Sequence, residues 1–285
     1  MSLIEAALQK LRRAGEATPA SRAMDARAPV APPAGPAKRI TIDFGALRNA
    51  GYLPQEGLER RFADHFRQIK RPLVEKALVG GADVHLILVS SALPGDGKTF
   101  ISVNLALSMA HERDVSVLLV DADAPRAHVS EIFGIRGEPG LLDALTHESL
   151  DVESLIAHTD VRGFEILPAG RFVENATELL ASARMSQIAT RLGARNPRRL
   201  VLFDTAPLLA SSEGRAMLRL PGQIVLVARA GVTPRQALVD ALTYVHENKL
   251  QGLILNQAQF TPGAGYYEYP GYGTEGTEGG DEASA

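Results

Sequence analysis

The stretch SSALPGDGKTF, residues 90–100, joins a run of apolar residues to a predicted helix. From Ala92 onward it follows the spacing A-x4-G-K-T of a phosphate-binding loop, with alanine in place of the usual first glycine. Gly95 and Gly97 allow successive backbone N–H groups to close around phosphate, with the positive end of the helix dipole behind them. The stretch therefore predicts a nucleotide site in the order strand, loop, helix.

The polar residues of this loop have predictable roles. Lys98 brings a positive charge to the β- and γ-phosphate oxygens, and Thr99 offers a hydroxyl group to Mg²⁺. The predicted nucleotide-binding residues of the loop are Pro94, Gly95, Asp96, Gly97, Lys98, Thr99 and Phe100.

The rest of the chain alternates apolar runs with helical segments. The apolar runs cover residues 84–90, 115–121, 164–170, 199–204, 223–230 and 251–257, and helical patterns cover 99–112, 184–193 and 234–247. Runs that are apolar at consecutive positions are typical of strands covered on both faces. The pattern predicts an α/β protein, a three-layer sandwich with a mainly parallel sheet and a P-loop NTPase fold.

Two of these runs end in carboxylates. Asp121 and Asp123 close VLLVDAD, with Arg126 just beyond as a further nucleotide contact, and Asp204 closes LVLFD. Carboxyl ends of parallel strands form the ligand edge of such sheets, so these carboxylates can reach the magnesium ion of the loop. A lone aspartate at a strand end is more often a turn or helix-cap residue. The pair at 121 and 123, however, exceeds what one metal ion requires. The second carboxylate could accept a proton from the phenol group of a tyrosine that attacks the γ-phosphoryl group.

The tyrosines are distributed unevenly. Four of the six, Tyr266, Tyr267, Tyr269 and Tyr272, crowd into the C-terminal stretch AGYYEYPGYG, residues 264–273. Residues 261–285 hold seven glycines and five carboxylates and no lysine or arginine, which predicts a flexible acidic tail. Packing does not explain such a cluster, so something other than core formation must account for these tyrosines.

The chain divides into four predicted parts. Residues 1–15 form an amphipathic helix for docking to a partner, residues 16–50 an Ala/Pro-rich disordered linker, residues 51–262 the P-loop domain, and residues 263–285 the tail. A helix followed by such a linker has no neighbour in sequence to cover its apolar face. The alternative is that this helix packs back on the main domain.

Composition narrows the possible functions. The chain has no cysteine, which rules out thiolate metal sites and thiol nucleophiles. Its net charge of −3 predicts no general affinity for nucleic acid. No stretch approaches the roughly 18 consecutive apolar residues of a membrane span. We expect a cytoplasmic protein.

The motifs ALPGDGKT, VLLVDADAPR and LVLFDTAP, together with the tyrosine cluster YYEYPGY, closely resemble those of the bacterial tyrosine kinases (BY-kinases). The opening MSLIEAALQKLRRAG and the segment FRQIKRPL resemble the exosortase-associated autokinase branch of exopolysaccharide systems. The resemblance implies an ATP- and Mg²⁺-dependent autokinase that phosphorylates its own tail tyrosines and regulates polysaccharide chain length or export.

The resemblance also implies roles for particular residues. The residues that would hold the metal ion are Thr99, Asp121 and Asp204. The catalytic residues would be Lys98, Asp121, Asp123 and Asp204, with Asp121 or Asp123 as the base. Asn256 would contact adenine. The ring-forming motif Glu-x2-Arg-x2-Arg of the family is matched by Asp64, Arg67 and Lys70, which loses one guanidinium group. A solvated helix face is the alternative for this segment.

The family context implies partners as well. These are a membrane-embedded polysaccharide co-polymerase, which would hold the chain at the inner face of the plasma membrane, other copies of the chain in a homo-oligomer or ring, and a cognate tyrosine phosphatase. The competing interpretations are a MinD/ParA-type switch ATPase and a scaffold of an export system that is not a kinase. The first of these has a signature lysine where this chain has Leu93.

Overall fold

The computed structural model describes residues 38–258. The predicted N-terminal helix, most of the predicted linker and the tail with its four tyrosines lie outside the described residues.

The described residues alternate strands and helices along the chain. The strands are β1 (Arg39–Ile40), β2 (Leu86–Ser91), β3 (Ser116–Ala122), β4 (Ala157–Thr159), β5 (Phe164–Leu167), β6 (Arg199–Thr205), β7 (Gln223–Arg229) and β8 (Leu250–Asn256). The α-helices are α1 (Phe44–Asn49), α2 (Glu59–Val79), α3 (Lys98–Ala110), α4 (His128–Ile132), α5 (Leu141–Thr146), α6 (Ala176–Ala181), α7 (Ala183–Ala194), α8 (Ser212–Met217) and α9 (Arg235–Thr243). Short 3-10 helices cover Ala82–His85 and Val152–Leu155.

The strands form one sheet in the order β1-β4-β5-β3-β6-β2-β7-β8. Its strands pair in parallel except at β4 and β5, which pair antiparallel. The carboxyl ends of β5, β3, β6, β2, β7 and β8 therefore lie along one edge. The predicted α/β fold with a mainly parallel sheet is confirmed.

Apolar side chains cover both faces of this sheet. On β3, Leu118 and Val120 point into one core cluster, whereas Val117 and Leu119 point into the other, and all four are fully buried. Successive side chains of a strand point to opposite faces, so a strand between two helical layers must be apolar at every position. This alternation explains why the sequence shows continuous apolar runs.

The predicted core strands and helices agree with the structure within a few residues. The antiparallel strand β4 was not predicted, because its three residues Ala157–Thr159 include two polar ones. It joins β5 through four residues that end in Gly163, whose φ of +75° suits glycine. Between residues 38 and 258, no helix is both long and apolar enough to cross a membrane.

The C-terminal boundary predicted for the linker, residue 50, lies too far along the chain. Residues 16–50 were predicted to be disordered, but residues 38–50 belong to the folded domain and this part of the prediction is wrong. Ile42 and Leu47 are buried in the core, and the N–H of Ile42 donates to Asp160 Oδ1 at 3.0 Å. The short strand β1 pairs with β4, an element that sequence periodicity did not reveal.

Candidate nucleotide-binding and catalytic site

The phosphate-binding loop lies between β2 and α3, as the sequence predicts. Gly95 and Gly97 have φ angles of +86° and +93°, a left-handed region that favours glycine, and α3 begins at Lys98. A Cβ atom on Gly97 would lie 2.0 Å from the side-chain nitrogen of Asn256. A larger residue at position 97 would therefore collide with the end of β8.

Asp96 holds the loop in this shape. Its buried carboxylate accepts hydrogen bonds from the N–H of Leu93 at 3.0 Å and from the hydroxyl of Thr233 at 2.5 Å. The amide of Asn256 donates to the carbonyl oxygen of Asp96 at 3.0 Å. The loop is thus braced by the segment after β7 and by the last residue of β8, and Asn256 lies beside the predicted nucleotide site.

Lys98 and Asp123 form an ion pair in the interior. Lys98 Nζ lies 2.8 Å from Asp123 Oδ2, and the two side chains are only 8% and 2% exposed. Burial lowers the pKa of the Lys98 ammonium, but the carboxylates of Asp204 and Asp123 outweigh this effect and raise that pKa. The ammonium therefore carries its charge to the loop at neutral pH.

Asp204 connects β6 to the first turn of α3. Its carboxylate accepts hydrogen bonds from Thr99 Oγ1 at 2.8 Å and from Ser102 Oγ at 2.9 Å. Burial raises the pKa of Asp204, whereas Lys98 and these two hydroxyl groups lower it, and burial prevails. Ser102 was not predicted as a site residue, and its position one turn after Thr99 was the only sequence signal for it.

Asp121 lies beside Asp204 because β3 and β6 pair in parallel with these two residues in register. Ser130 of α4 donates to Asp121 Oδ2 from both its N–H and its hydroxyl group, each at 2.7 Å. The Ser130 hydroxyl in turn accepts from the N–H of Ala169 at 2.9 Å. Sequence reasoning missed Ser130, because a serine nine residues after an aspartate has no recognisable spacing.

The surroundings of Asp121 raise the pKa of its carboxyl group. Burial raises the pKa of this carboxyl to about 7, although the two hydrogen bonds from Ser130 act in the opposite direction. The negative charges of Asp204 and Asp123 add to the increase. Three carboxylates thus converge on one side of the phosphate-binding loop, as predicted from the strand ends.

Two further residues lie within electrostatic range of the site. Arg126 is exposed, and its charge lowers the pKa of Lys98. Tyr52 is half-buried over α3, where its carbonyl accepts a hydrogen bond from Asn104 at 2.7 Å. Burial and the charges of Glu131 and Asp204 raise the pKa of the Tyr52 phenol. No pattern in the sequence predicts a tyrosine at this position.

The residues present fit a magnesium–nucleotide complex. Thr99 and Asp204 are adjacent and Asp121 lies opposite, so the donors are all oxygen atoms, which Mg²⁺ prefers. The buried Asp123 Oδ2 accepts no hydrogen bond of standard geometry despite its ion pair with Lys98. Within residues 38–258, no group of three or more His, Cys, Asp or Glu side chains is close enough to hold a metal ion by itself.

The predicted interface motif is only partly on the surface. Asp64 and Arg67 form an exposed ion pair at 2.6 Å on α2. Lys70 is buried instead, with its ammonium 2.7 Å from the carbonyl of Ser108 and 2.7 Å from Glu112. The prediction that Lys70 is available to a neighbouring subunit is wrong, because this residue ties α2 to the end of α3.

Two cavities, of about 290 and 260 Å³, open at the opposite end of the sheet around Arg162 and Gly163. Neither is lined by a predicted site residue. The chemistry of the loop and the carboxylates, rather than a closed cavity, therefore locates the candidate site.

The fold and this site define a P-loop nucleotide-binding domain. The AAA domain family matches residues 84–248. Among solved structures, the kinase domain of the Escherichia coli tyrosine kinase ETK is 30% identical, with a TM-score of 0.57, and the match covers 65% of this chain and 72% of that one. The kinase domain of VpsO is 28% identical with a TM-score of 0.60, over 72% of this chain and 100% of that one.

The chain belongs to the AAA domain family and, within it, to the bacterial tyrosine kinases, as its motifs predict. A curated relative, the tyrosine-protein kinase ptk of Acinetobacter johnsonii, is 30% identical over 232 residues, which are 80% of this chain and 30% of that protein. The chain thus spans less than a third of the length of such relatives. Membership of this family implies the use of a nucleotide with a divalent metal ion.

Proposed function

We propose that this chain is an ATP- and Mg²⁺-dependent protein-tyrosine kinase that phosphorylates its own C-terminal tyrosines. The observation that carries the proposal is the convergence of Asp121, Asp123 and Asp204 on Lys98 and Thr99 of the phosphate-binding loop. One carboxylate suffices to hold a magnesium ion in an NTPase, so the set of three includes a spare carboxylate that could serve as the base for a protein acceptor. This surplus favours a kinase over a switch ATPase or a scaffold.

Each side chain of the site would have a separate role in phosphoryl transfer. When bound, Mg-ATP supplies the γ-phosphoryl group. Thr99, Asp121 and Asp204 would hold the metal ion, Lys98 and Arg126 would neutralise phosphate charge, and Asn256 would lie near the adenine. In the transfer, a bond forms from the phenol oxygen to the γ-phosphorus as the bond from that phosphorus to the ADP oxygen breaks. Asp121 or Asp123 would accept the phenol proton.

The proposed acceptors are Tyr266, Tyr267, Tyr269 and Tyr272. Incubation of the full chain with Mg-ATP, followed by phosphate mapping with mass spectrometry, is expected to label this cluster and to leave the exposed Tyr244 bare. Tyr244 lies at the end of α9, where Arg215 stacks on its ring at 5.4 Å, so it serves as an internal control. Hydrolysis of ATP with all four tail tyrosines bare would contradict the proposal and favour a switch ATPase.

Phosphorylation of the tail would regulate exopolysaccharide chain length or export, as in the exosortase-associated branch that the terminal segments resemble. Each phosphate adds about −1.5 to −2 charge to a tail that already holds five carboxylates. A tyrosine phosphatase would reset the cycle. We further propose that the chain forms homo-oligomers through the exposed pair Asp64 and Arg67, without the participation of Lys70.

We propose that residues 1–15 bind the cytoplasmic end of a membrane-embedded polysaccharide co-polymerase and thereby hold the chain at the inner face of the plasma membrane. Deletion of residues 1–15 is expected to abolish recruitment to membranes in cells and to leave ATP binding unchanged, because the nucleotide site uses none of these residues. A matched control replaces Gln9 and Arg12, which lie off the predicted apolar face, and should keep recruitment. Membrane recruitment of the deleted chain would contradict the proposal.

A further inference from the structure

Ser130 is a buried residue that holds one oxygen atom of the Asp121 carboxylate. It is 1% exposed, and its N–H and its hydroxyl group both donate to Asp121 Oδ2, each at 2.7 Å. Two short hydrogen bonds to one oxygen hold the carboxylate in one orientation. Among the described residues, Asp121 Oδ1 receives a single and longer hydrogen bond, of 3.4 Å, from the N–H of Asp123. Oδ1 is therefore the oxygen of Asp121 that keeps acceptor capacity for a ligand.

The neighbouring carboxylates are held in a different way. Asp204 accepts a hydrogen bond on each of its two oxygens, from the hydroxyl groups of Thr99 and Ser102. Asp123 Oδ2 pairs with the ammonium group of Lys98. Asp121, in contrast, is held firmly at one oxygen only, so the contacts made by Ser130 decide the orientation of its second oxygen.

A strained turn brings Ser130 to this carboxylate. After β3 the chain folds back, and the carbonyl oxygen of Asp123 accepts hydrogen bonds from the N–H groups of Arg126 and Ala127 at 3.1 and 2.7 Å. Ala127 has a φ of +48°, a left-handed conformation that is unfavourable for a residue with a Cβ atom. Such a conformation persists only where the surrounding contacts determine it, and it is frequent at functional sites. The turn directs the N–H of Ser130, the third residue of α4, toward Asp121.

The hydroxyl group of Ser130 is oriented from its other side by the loop after β5. Its oxygen accepts a hydrogen bond from the N–H of Ala169 at 2.9 Å. A hydroxyl group has a single proton and rotates to suit its partners. Because the oxygen accepts from Ala169, the proton is left for Asp121 Oδ2. The hydroxyl group thus connects the carboxylate on β3 to the loop after β5.

The start of α5 fixes this loop and gives the N–H of Ala169 a defined position. The N–H groups of Leu141 and Leu142, the first residues of α5, donate to the carbonyl oxygens of Pro168 and Ala169 at 2.8 and 2.9 Å. These bonds satisfy donors that a helix start leaves without intrahelical partners. A Cβ atom on Gly140 would lie 2.1 Å from the carbonyl oxygen of Pro168, so the close approach requires glycine.

Asp143 of α5 holds the same loop at its far side. Its Oδ2 accepts hydrogen bonds from the N–H groups of Gly140 at 2.9 Å and of Arg171 at 3.1 Å. Gly170 has a φ of +90°, and a Cβ atom there would lie 2.5 Å from the same carboxylate oxygen. A continuous series of hydrogen bonds therefore runs from α5 through the loop and Ser130 to Asp121.

We propose that Ser130 is a positioning residue for phosphoryl transfer, which holds Asp121 Oδ2 so that Asp121 Oδ1 is presented to the magnesium–nucleotide complex. The inference rests on the proposed kinase function and adds a residue that acts through Asp121 rather than on the substrate itself. Removal of a group that hydrogen-bonds a metal ligand typically lowers metal affinity or activity by about 10–100-fold.

The variant Ser130→Ala, made in the full chain, removes the hydroxyl group and keeps the N–H donor. Asp121 then loses one of its two short hydrogen bonds and gains rotational freedom. The Mg²⁺ concentration for half-maximal tail labelling is expected to rise about tenfold, and kcat to fall at least about tenfold. Binding of ADP in the presence of EDTA, measured by calorimetric titration, should be unchanged, because Lys98 and the phosphate-binding loop are intact.

A second readout does not depend on catalysis. Mg²⁺ is titrated at a fixed, saturating concentration of ADP, and the rise in melting temperature reports the formation of the magnesium–ADP complex on the folded chain. Ser130→Ala should need about ten times more Mg²⁺ than the unaltered chain for half of this rise. The comparison uses the rise and not the melting temperature itself, so a general loss of stability does not affect it.

A pair of variants of equal size separates the hydrogen bond from packing. Ser130→Thr keeps the hydroxyl group, whereas Ser130→Val has nearly the same shape without it. Both variants add a methyl group to a buried position, which disturbs packing to a similar degree. Ser130→Val should therefore need about ten times more Mg²⁺ than Ser130→Thr in the same titration.

The matched control is Thr159→Val, which removes a hydroxyl group with the same bonding pattern. The Thr159 hydroxyl accepts from the N–H of Val161 at 3.1 Å and donates to the carbonyl oxygen of Phe164 at 2.8 Å. It lies beside the start of β5, at the opposite end of the sheet from Asp121. This variant should lower the melting temperature and leave kcat and the magnesium dependence unchanged.

The outcomes distinguish the two levels of inference. If the unaltered chain labels no tyrosine, the proposed kinase function fails, and the titration with ADP alone decides the role of Ser130. If Ser130→Ala lowers the melting temperature but titrates with Mg²⁺ like the unaltered chain, the hydroxyl group is structural and the positioning role is overturned. Equal magnesium dependence of Ser130→Val and Ser130→Thr, or an equal loss of ADP binding with and without Mg²⁺, would overturn it as well.

Discussion

The Lys98→Met variant is expected to lose tail labelling by at least about 10²–10³-fold. Phosphoryl transfer depends on positioning and on neutralisation of charge, and Lys98 brings a buried ammonium group to the loop where the phosphates bind. The measurement is the initial rate of phosphate incorporation into the four tail tyrosines at saturating Mg-ATP. Near-normal labelling would place the catalytic site elsewhere on the chain.

The Lys98→Met substitution is also expected to lower the free energy of unfolding. Removal of Lys98 leaves Asp123 buried without its ionic partner, which typically destabilises a protein by about 3–5 kcal/mol. Lys98→Arg keeps the charge but replaces a compact ammonium with a planar fork, so it should remain folded and still transfer phosphate poorly. Lys38→Met, which removes a surface pair with Glu138, is the control and should label normally.

The Asp121→Asn variant is expected to be more stable than the unaltered chain in the absence of Mg²⁺ and nucleotide, and to lose at least about 100-fold in tail labelling. The asparagine carbonyl can still accept the hydrogen bonds from Ser130, but it carries no charge into the interior. The gain in the free energy of unfolding above pH 7 is at most about 4 kcal/mol, the equivalent of the difference between the two pKa values of this carboxyl.

The pH dependence of this gain has a defined sign. The pKa of Asp121 is about 7 in the folded chain and 3.8 for an ordinary carboxyl, so the folded state binds the proton more tightly. Its contribution to stability is fully present below pH 3.8 and is lost as the pH rises through 7. The advantage of Asp121→Asn should therefore be largest above pH 7 and shrink as the pH falls toward 4.

Thermal unfolding at several pH values measures this difference. The matched variant Asp123→Asn removes the ionic partner of Lys98 and should lower the melting temperature instead. If the melting temperature of the Asp121→Asn chain is lower than that of the unaltered chain at pH 8, burial does not destabilise the charged form of this carboxylate. Normal tail labelling by the same variant would remove Asp121 from the catalytic set.

The sequence by itself determined the fold class, and it predicted the principal residues of the candidate site. The phosphate-binding loop depends on local chemistry, since two glycines, a lysine and a helix start lie within a few residues of one another. Strands that need cover on both faces must be apolar at every position, and parallel strands bring Asp121, Asp123 and Asp204 to one edge. These conclusions need only the order of elements along the chain.

The tertiary structure alone decided which side chains surround that site. Ser130 meets Asp121, Thr233 meets Asp96, and Lys70 turns inward to Ser108, in each case through contacts between segments that sequence periodicity cannot align. The exposure of Phe172 likewise depends on how Asp143 anchors its loop from another helix. Contacts between distant segments depend on the strand order and on the packing of the helices, and no local pattern in the sequence encodes either of them.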